Sequence, residues 1–408
     1  MVVLRADHPK VLIGDNCAIH MMLPNDKKLC TATLPSDVLS NLPENVIDDI
    51  LIRMPLRDVV RTSILSKKWR YNWCRIPELT LDQTLWDTTN KSIPFVTRFT
   101  DIIYHLLVLH VGPITKFILS DIAFLGNHSK IDNLPFSTFK GFSELVSLEL
   151  CEVTISSEML GNLISHIPLL EKLVLRISSI LNYIQIDGPK LKSFDFTGNI
   201  NILSLGKAPF LVKLSLVNTA ATLKAGKHIS KYFEFCPSLE HLHLDYSSLQ
   251  FLAAGSGDIA AKLSSPPNCL KCLCLSDICL DESVELSFAL CLIRSSPYLQ
   301  DIQMKIDYSA LNKLLLPVPD DVVNEIPSSF SDVTLDHLRS VKLEGITGTK
   351  TEIEFIKLLL SKSPVLVRML IQQKIANVSA ETRLKVVTEI TKFPRASPKA
   401  EVDYNSGV

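Results

Sequence analysis

The sequence predicts an α/β protein: a short three-helix module near the N-terminus, then an irregular repeat of strands and helices building a parallel sheet. Three observations point there. Between Asp37 and Trp73, apolar residues recur at helical spacing in short runs punctuated by proline. From Ile114 onward a strand pattern, L-x-x-L-x-L, keeps returning. Stretches with helical character fit between several of those strands.

In the module, Pro43 and Glu44 suit a helix start, because proline fits the first turn and an acidic group favours the positive end of the helix dipole. Val46, Ile47, Ile50, Leu51 and Met54 then form a three-and-four stripe that Pro55 ends. Leu56, Val59, Val60 and Ile64 mark a second short helix, and Ser66 is placed to cap a third that carries Trp69 and Trp73. Three short helices in about 40 residues bury too little surface to be comfortable alone, so part of the apolar surface is expected to pack on something else.

The runs LPENVIDDIL and MPLRDVVRTSILSKKWR resemble the plant form of the F-box. That resemblance implies docking on a Skp-family adaptor, which in turn binds a cullin. It assigns Leu42, Pro43, Ile50, Leu51, Leu56, Val60, Leu65 and Trp69 to the adaptor interface or to the module's own core, without sorting one role from the other.

The strand pattern runs through Ile114/Phe117/Leu119, Leu145/Leu148/Leu150, Leu170/Leu173/Leu175, Leu191/Phe194/Phe196 and Leu211/Leu214/Leu216. It continues through Leu239/Leu242/Leu244, Leu270/Leu273/Leu275, Leu299/Ile302/Met304, Leu338/Val341/Leu343 and Leu366/Met369/Ile371. Steps of 20 to 39 residues scatter around the leucine-rich-repeat length, and the longest holds an insertion around Asp320 to Asp332. Proline stands two residues before the first apolar position at Pro168, Pro189, Pro209, Pro237, Pro297 and Pro364, where it favours an extended chain entering the strand. Helices are expected at Ser157 to His166, His228 to Phe235, Glu282 to Arg294 and Glu352 to Ser361. Strand inside and helix outside, repeated, gives a curved solenoid with a concave parallel sheet. The asparagine that often caps the turn after each strand is mostly replaced, as at Ser178, Thr219, Ser247 and Asp307, so no continuous asparagine ladder is expected.

Phe95, Phe99, Ile102, Ile103, Leu106, Leu107 and Leu109 read as one amphipathic helix capping the repeat array. The runs LRSVKLEGITG, EIEFIKLLLSKSPVL and FPRASPKAEV resemble the FBD region that follows leucine-rich repeats in many plant F-box proteins. The expected organisation is an N-terminal extension at 1–35, the F-box at 36–80, a linker and capping helix at 81–112, repeats at 113–335 and the FBD region at 336–405. Together the resemblances point to the plant F-box/FBD/LRR family. They imply a non-catalytic substrate-recognition subunit of an SCF-type cullin–RING ubiquitin ligase.

Composition agrees. Hydrophobic residues make up 47% and charged ones 21%, with a net charge of −1, so no basic field exists to hold nucleic acid or an anionic membrane. No run of about 18 apolar residues spans a bilayer, and no signal-peptide core is evident. Ten cysteines without a paired framework fit a reducing compartment, cytoplasmic or nuclear. There is no GxxxxGK, GxGxxG, GxSxG or HExxH pattern and no RING-type cysteine motif, so neither catalysis nor a cofactor is expected.

Side chains flanking the second leucine of each strand face the open side of the sheet, because strand side chains alternate. They are Ser147/Glu149, Lys172/Val174, Ser193/Asp195, Lys213/Ser215, His241/His243, Cys272/Cys274, Asp301/Gln303 and Ser340/Lys342. Glu149, Lys172, Asp195, Lys213, His241, His243, Asp301 and Gln303 are the candidate contacts for an unidentified protein target. His241, His243, Cys272 and Cys274 fall at equivalent places in consecutive repeats, a speculative tetrahedral zinc set. A hormone-like small-molecule receptor ranks lower, since the face carries only scattered lysines. A repeat scaffold without adaptor binding is disfavoured by the intact apolar positions of the module.

Overall fold

The computed structural model of the protein describes residues 41–82, 85, 95–120, 139–218, 233–253, 263, 265–307, 323, 326, 330–373 and 380–405. The N-terminal 1–35, most of the expected helix at 228–235 and most of the insertion at 320–332 lie outside the described residues. The chain divides into two compact units, Met1–Leu169 and Leu170–Val408. Among the described residues no helix is long and apolar enough to cross a membrane.

In the first unit, α1 (Glu44–Ile52) and α2 (Leu56–Arg61) each follow a proline that holds the N-cap position with extended backbone. The Pro43 carbonyl accepts the first orphan amides, those of Val46 and Ile47, at 3.1 Å each. A 3₁₀ turn, Thr62–Ile64, continues α2, and Thr62 Oγ1 donates back to the Val59 carbonyl at 2.7 Å.

The expected third helix is not a regular α-helix. From Ser66 to Ile76 the amides of Trp69, Asn72, Cys74 and Ile76 bond three residues back, and only Asn72–Arg75 forms a 3₁₀ helix. Nor does Ser66 cap it, because its hydroxyl is buried with no hydrogen-bond partner. The reason lies in burial: Trp69, Asn72, Trp73, Cys74 and Ile76 are all sequestered, and three consecutive buried residues cannot share one stripe of an α-helix. Pro77 then forces Ile76 to extended backbone. Arg75 fastens the segment to α1 through Asp48 at 3.0 Å and Glu44 at 3.2 Å.

Strand β1 (Glu78–Leu81) pairs in parallel with β2 (Lys116–Leu119), and β2 with β3 (Ser147–Val153). Ile76, Leu79 and Leu81 have the L-x-x-L-x-L spacing and are buried, so the strand pattern starts one repeat before Ile114. Between β1 and β2, α3 (Phe95–Leu109) buries Ile103, Leu106 and Leu107. Its C-terminal end is tied back by His110 Nε2 to the Ile76 carbonyl at 2.9 Å and by the Val111 amide to the Cys74 carbonyl at 2.8 Å. Helix α4 (Ser157–Ser165) starts where Ser156 Oγ accepts the Met159 amide.

The second unit is a parallel sheet. Its strands are β4 (Lys172–Leu181), β6 (Ser193–Ile200), β8 (Lys213–Asn218), β9 (His241–Asp245), β10 (Cys272–Ile278), β11 (Asp301–Ile306), β12 (Ser340–Ile346), β13 (Arg368–Gln373) and β14 (Glu401–Asn405), lying side by side in that order. Two short strands, β5 (Ile184–Ile186) and β7 (Leu203–Leu205), pair separately. Each sheet strand from β4 to β13 begins two residues after the first apolar position of its repeat. Register carries this phase across the whole run: Lys172, Ser193, Lys213, His241, Cys272, Asp301, Ser340, Arg368 and Glu401 are successive partners. A one-residue slip would turn every leucine outward, and the burial of Leu173, Phe194, Leu242, Leu273, Ile302, Val341 and Met369 at 2% exposure or less excludes it.

The prolines have a more specific task than helix breaking. The amides of Leu191, Leu211, Leu239, Leu299 and Leu366 bond back to Gly188, Ala208, Cys236, Ser296 and Ser363. Each closes a four-residue turn with Pro189, Pro209, Pro237, Pro297 or Pro364 at its second position, where a fixed φ is favoured. At the far end of two strands the backbone bulges: Asp277 and Gly345 have φ of 56° and 83°, and register shifts around both. A Cβ at Gly345 would sit 2.1 Å from the Ile306 carbonyl oxygen, so glycine is required there.

Helices α5 (Tyr246–Ala253), α6 (Ser283–Arg294), α7 (Lys350–Lys362) and α8 (Ala380–Thr391) fill connections between strands. The sequence reading placed α6 and α7 and did not place α5 or α8. In place of an asparagine ladder, buried carboxylates hold these turns. Asp245 Oδ1 accepts the Asn218 and Ser248 amides, Glu285 Oε2 the Cys279 amide, and Glu352 Oε2 those of Thr347, Gly348 and Thr349. Burial pushes the Glu285 carboxyl up to about 8, against the pull of the Cys279 amide.

Candidate functional site

Two surfaces follow from this architecture, one in each unit. In the helical module the structure sorts the apolar positions that sequence left mixed. Leu51, Leu56 and Trp69 are core, at 0%, 6% and 4% exposure, and Ile47, Val59 and Trp73 are buried with them. Leu42 and Val60 are half-buried, while Pro43, Ile50 and Leu65 are exposed. Sequence reading missed Ile52 and Tyr71, which are also exposed, and it grouped Ile64 with the apolar positions of the second helix, where it is 86% exposed. Ile64 turns outward because the chain tightens to 3₁₀ geometry at Thr62, which changes the angle between successive side chains. Exposed Lys67, Lys68 and Arg70 follow in sequence, so a basic stretch adjoins the apolar one. Five exposed large apolar residues beside six buried ones exceed what a satisfied small module presents to water.

The second surface is the open face of the sheet. On β3 of the first unit, Glu149 is half-buried. In the second unit Lys172, Lys213 and Gln303 are exposed, and Asp195, His241, His243 and Asp301 are half-buried. Val174 departs from the pattern and is buried. A shallow depression of about 240 Å³ crosses β6, β8, β9 and β10, with Ser193, Asp195, Lys213, Ser215, His241, His243, Cys272 and Cys274 around it.

Register does bring the speculative metal set together, since His241 faces Cys272 and His243 faces Cys274 on adjoining strands. Even so, no group of three or more His, Cys, Asp or Glu among the described residues is arranged to hold a metal ion. His243 is already engaged at both ring nitrogens, Nδ1 with Ser215 Oγ at 3.1 Å and Nε2 with Ser276 Oγ at 3.0 Å. Burial raises the Cys272 and Cys274 thiols above their ordinary value, which opposes the thiolate a metal needs. The zinc expectation is therefore withdrawn.

Comparison with known proteins places names on both regions. Residues 39–79 match the F-box domain model. Residues 119–304 match the model described as "FBD-associated F-box protein At5g56370, LRR repeats". Over 90% of its length the chain is 29% identical to an F-box/FBD/LRR-repeat protein of Arabidopsis thaliana, of which the match covers 98%. A shorter match, 46% identical over 65 residues, joins 16% of the chain to 15% of another F-box/FBD/LRR-repeat protein of that plant. Another, 43% identical over 63 residues, joins 15% of the chain to 14% of an FBD-associated F-box protein of Arabidopsis thaliana.

Proposed function

We propose, from an F-box followed by leucine-rich repeats of the FBD-associated type, that this chain is the substrate-recognition subunit of an SCF-type cullin–RING ubiquitin ligase. The F-box docks a Skp-family adaptor and, through it, a cullin. The strands stack as a leucine-rich-repeat solenoid that carries a protein target on its open face. The subunit performs no chemistry itself. It raises the effective concentration of a target lysine near ubiquitin activated on partner subunits. Such work belongs in the cytoplasm or nucleus.

One observation supports this reading most. The module keeps a closed core of its own and still exposes Ile50, Ile52, Ile64, Leu65 and Tyr71. Fully burying a side chain of that size against a partner is worth about 1.5–3 kcal/mol, so a few of them suffice for a specific complex. The test is capture of a purified Skp-family adaptor by the full chain and by an Ile64→Glu/Leu65→Glu variant. The variant is expected to bind at least tenfold more weakly with its thermal midpoint unchanged. Equal capture by both proteins removes this docking surface.

A further inference from the structure

Charge is not spread evenly over the open face of the second unit. Building on the reading of that face as a target site, we infer that the target docks through a segment with at least two acidic side chains, seated on β4, β6 and β8.

Most cations elsewhere on or beside the face are already matched. Lys305 meets Asp277 at 2.8 Å, Lys342 meets Glu344, and Arg368 meets Asp403 at 2.8 Å. At the start of the strands, Lys192 bridges to Glu171 at 2.8 Å and Lys271 to Glu240 at 2.7 Å. Arg176 and Lys213 break this habit. Both are exposed, and neither has a carboxylate within 4 Å among the described residues. The nearby carboxylate on β6, Asp195, pairs with neither of them.

Register fixes the layout. Lys172 and Lys213 stand level on either side of Ser193, about 9.6 Å apart by strand spacing. Arg176 lies four residues further along β4, level with Thr197. Arg176 and Lys213 therefore stand about 16 Å apart, roughly 13 Å along the strands and about 9.6 Å across them, so a bound segment needs a separate acidic side chain for each. A bridged cation offers a partner mostly a dipole, whereas an unbridged one offers its whole charge.

The adjoining depression settles the character of the rest of the segment. Beside Lys213 most of its exposed surface is apolar, and the His243 imidazole within it is already bonded to Ser215 and Ser276. A small apolar side chain flanked by the acidic ones fits it.

The test uses the full chain and a displayed library of random peptides. Peptides selected on the wild-type protein are synthesised, and their Kd is measured on three proteins: wild type, Arg176→Glu/Lys213→Glu, and Lys305→Glu/Lys342→Glu. Selected sequences rich in Asp and Glu are expected, with at least tenfold weaker binding to the first variant and about unchanged binding to the second. Selection of sequences without acidic enrichment overturns the inference. Weakening only in the second variant also overturns it but leaves the open face as the target site. If neither variant changes binding, the open-face reading falls as well.

Discussion

The helical module and the repeat array handle the same kind of residue in opposite ways. In the repeats, almost every apolar position of the L-x-x-L-x-L pattern in the second unit is buried, because each strand is covered by the next repeat and by the layer beneath it. In the module the leucines and isoleucines divide, with Leu51 and Leu56 inward and Ile50, Ile52 and Leu65 outward. The difference teaches that periodicity reports burial only where structure is stacked deeply enough to consume the whole apolar face. A small module consumes part of its face and offers the remainder.

The sharpest way to break that comparison is to truncate both kinds of position and compare the costs. Phe355 of α7 is fully buried, so Phe355→Ala is expected to destabilise the second unit by about 3–5 kcal/mol in chemical denaturation. A cost under about 1 kcal/mol would mean that the repeat core is loose.

A middle-sized effect sharpens the account of the carboxylates that replace the asparagine ladder. The Glu285 carboxyl is raised from 4.5 to about 8 in the folded chain, so between those values the native state holds a proton that the unfolded state lacks. Stability from this group is fully present below about pH 4.5 and is lost as pH rises through 8. Against Glu285→Gln, the wild type should lose about 1–3 kcal/mol across that window. Parallel pH profiles of the two proteins would contradict this.

The smallest effect falls on the other side of the comparison. Ile64→Ala should change stability by less than about 0.5 kcal/mol, because the side chain is 86% exposed. A denaturation midpoint shifted as far as that of Phe355→Ala would show that Ile64 supports the module's core rather than its surface.

Much of the fold was legible beforehand. Ten strand starts followed from leucine spacing alone, since a parallel ladder with one buried face tolerates no slip. The helix at Phe95–Leu109 followed from its amphipathic pattern, and α4, α6 and α7 from helical segments that fit between the strands. Strand β1 escaped because its pattern, Ile76/Leu79/Leu81, is interrupted by Pro77 and sits against the module. Helix α5 escaped because Tyr246, Ser247 and Ser248 begin it with polar groups that are nonetheless half-buried or buried. Of the candidate sites, the residues on the open face could be named from alternation, but not which of them were already paired.

The sequence by itself determined the period, the strand phase and the two kinds of region, because these depend on chemistry repeated along the chain. Only the tertiary structure decided the rest: which apolar residues of the module face water, how Ser66 to Ile76 folds without a regular helix, and that Arg176 and Lys213 lack the ion pairs their neighbours have. Those properties depend on residues far apart in the chain. A side chain is exposed, buried or neutralised by what the fold brings beside it, and spacing along the chain does not encode that.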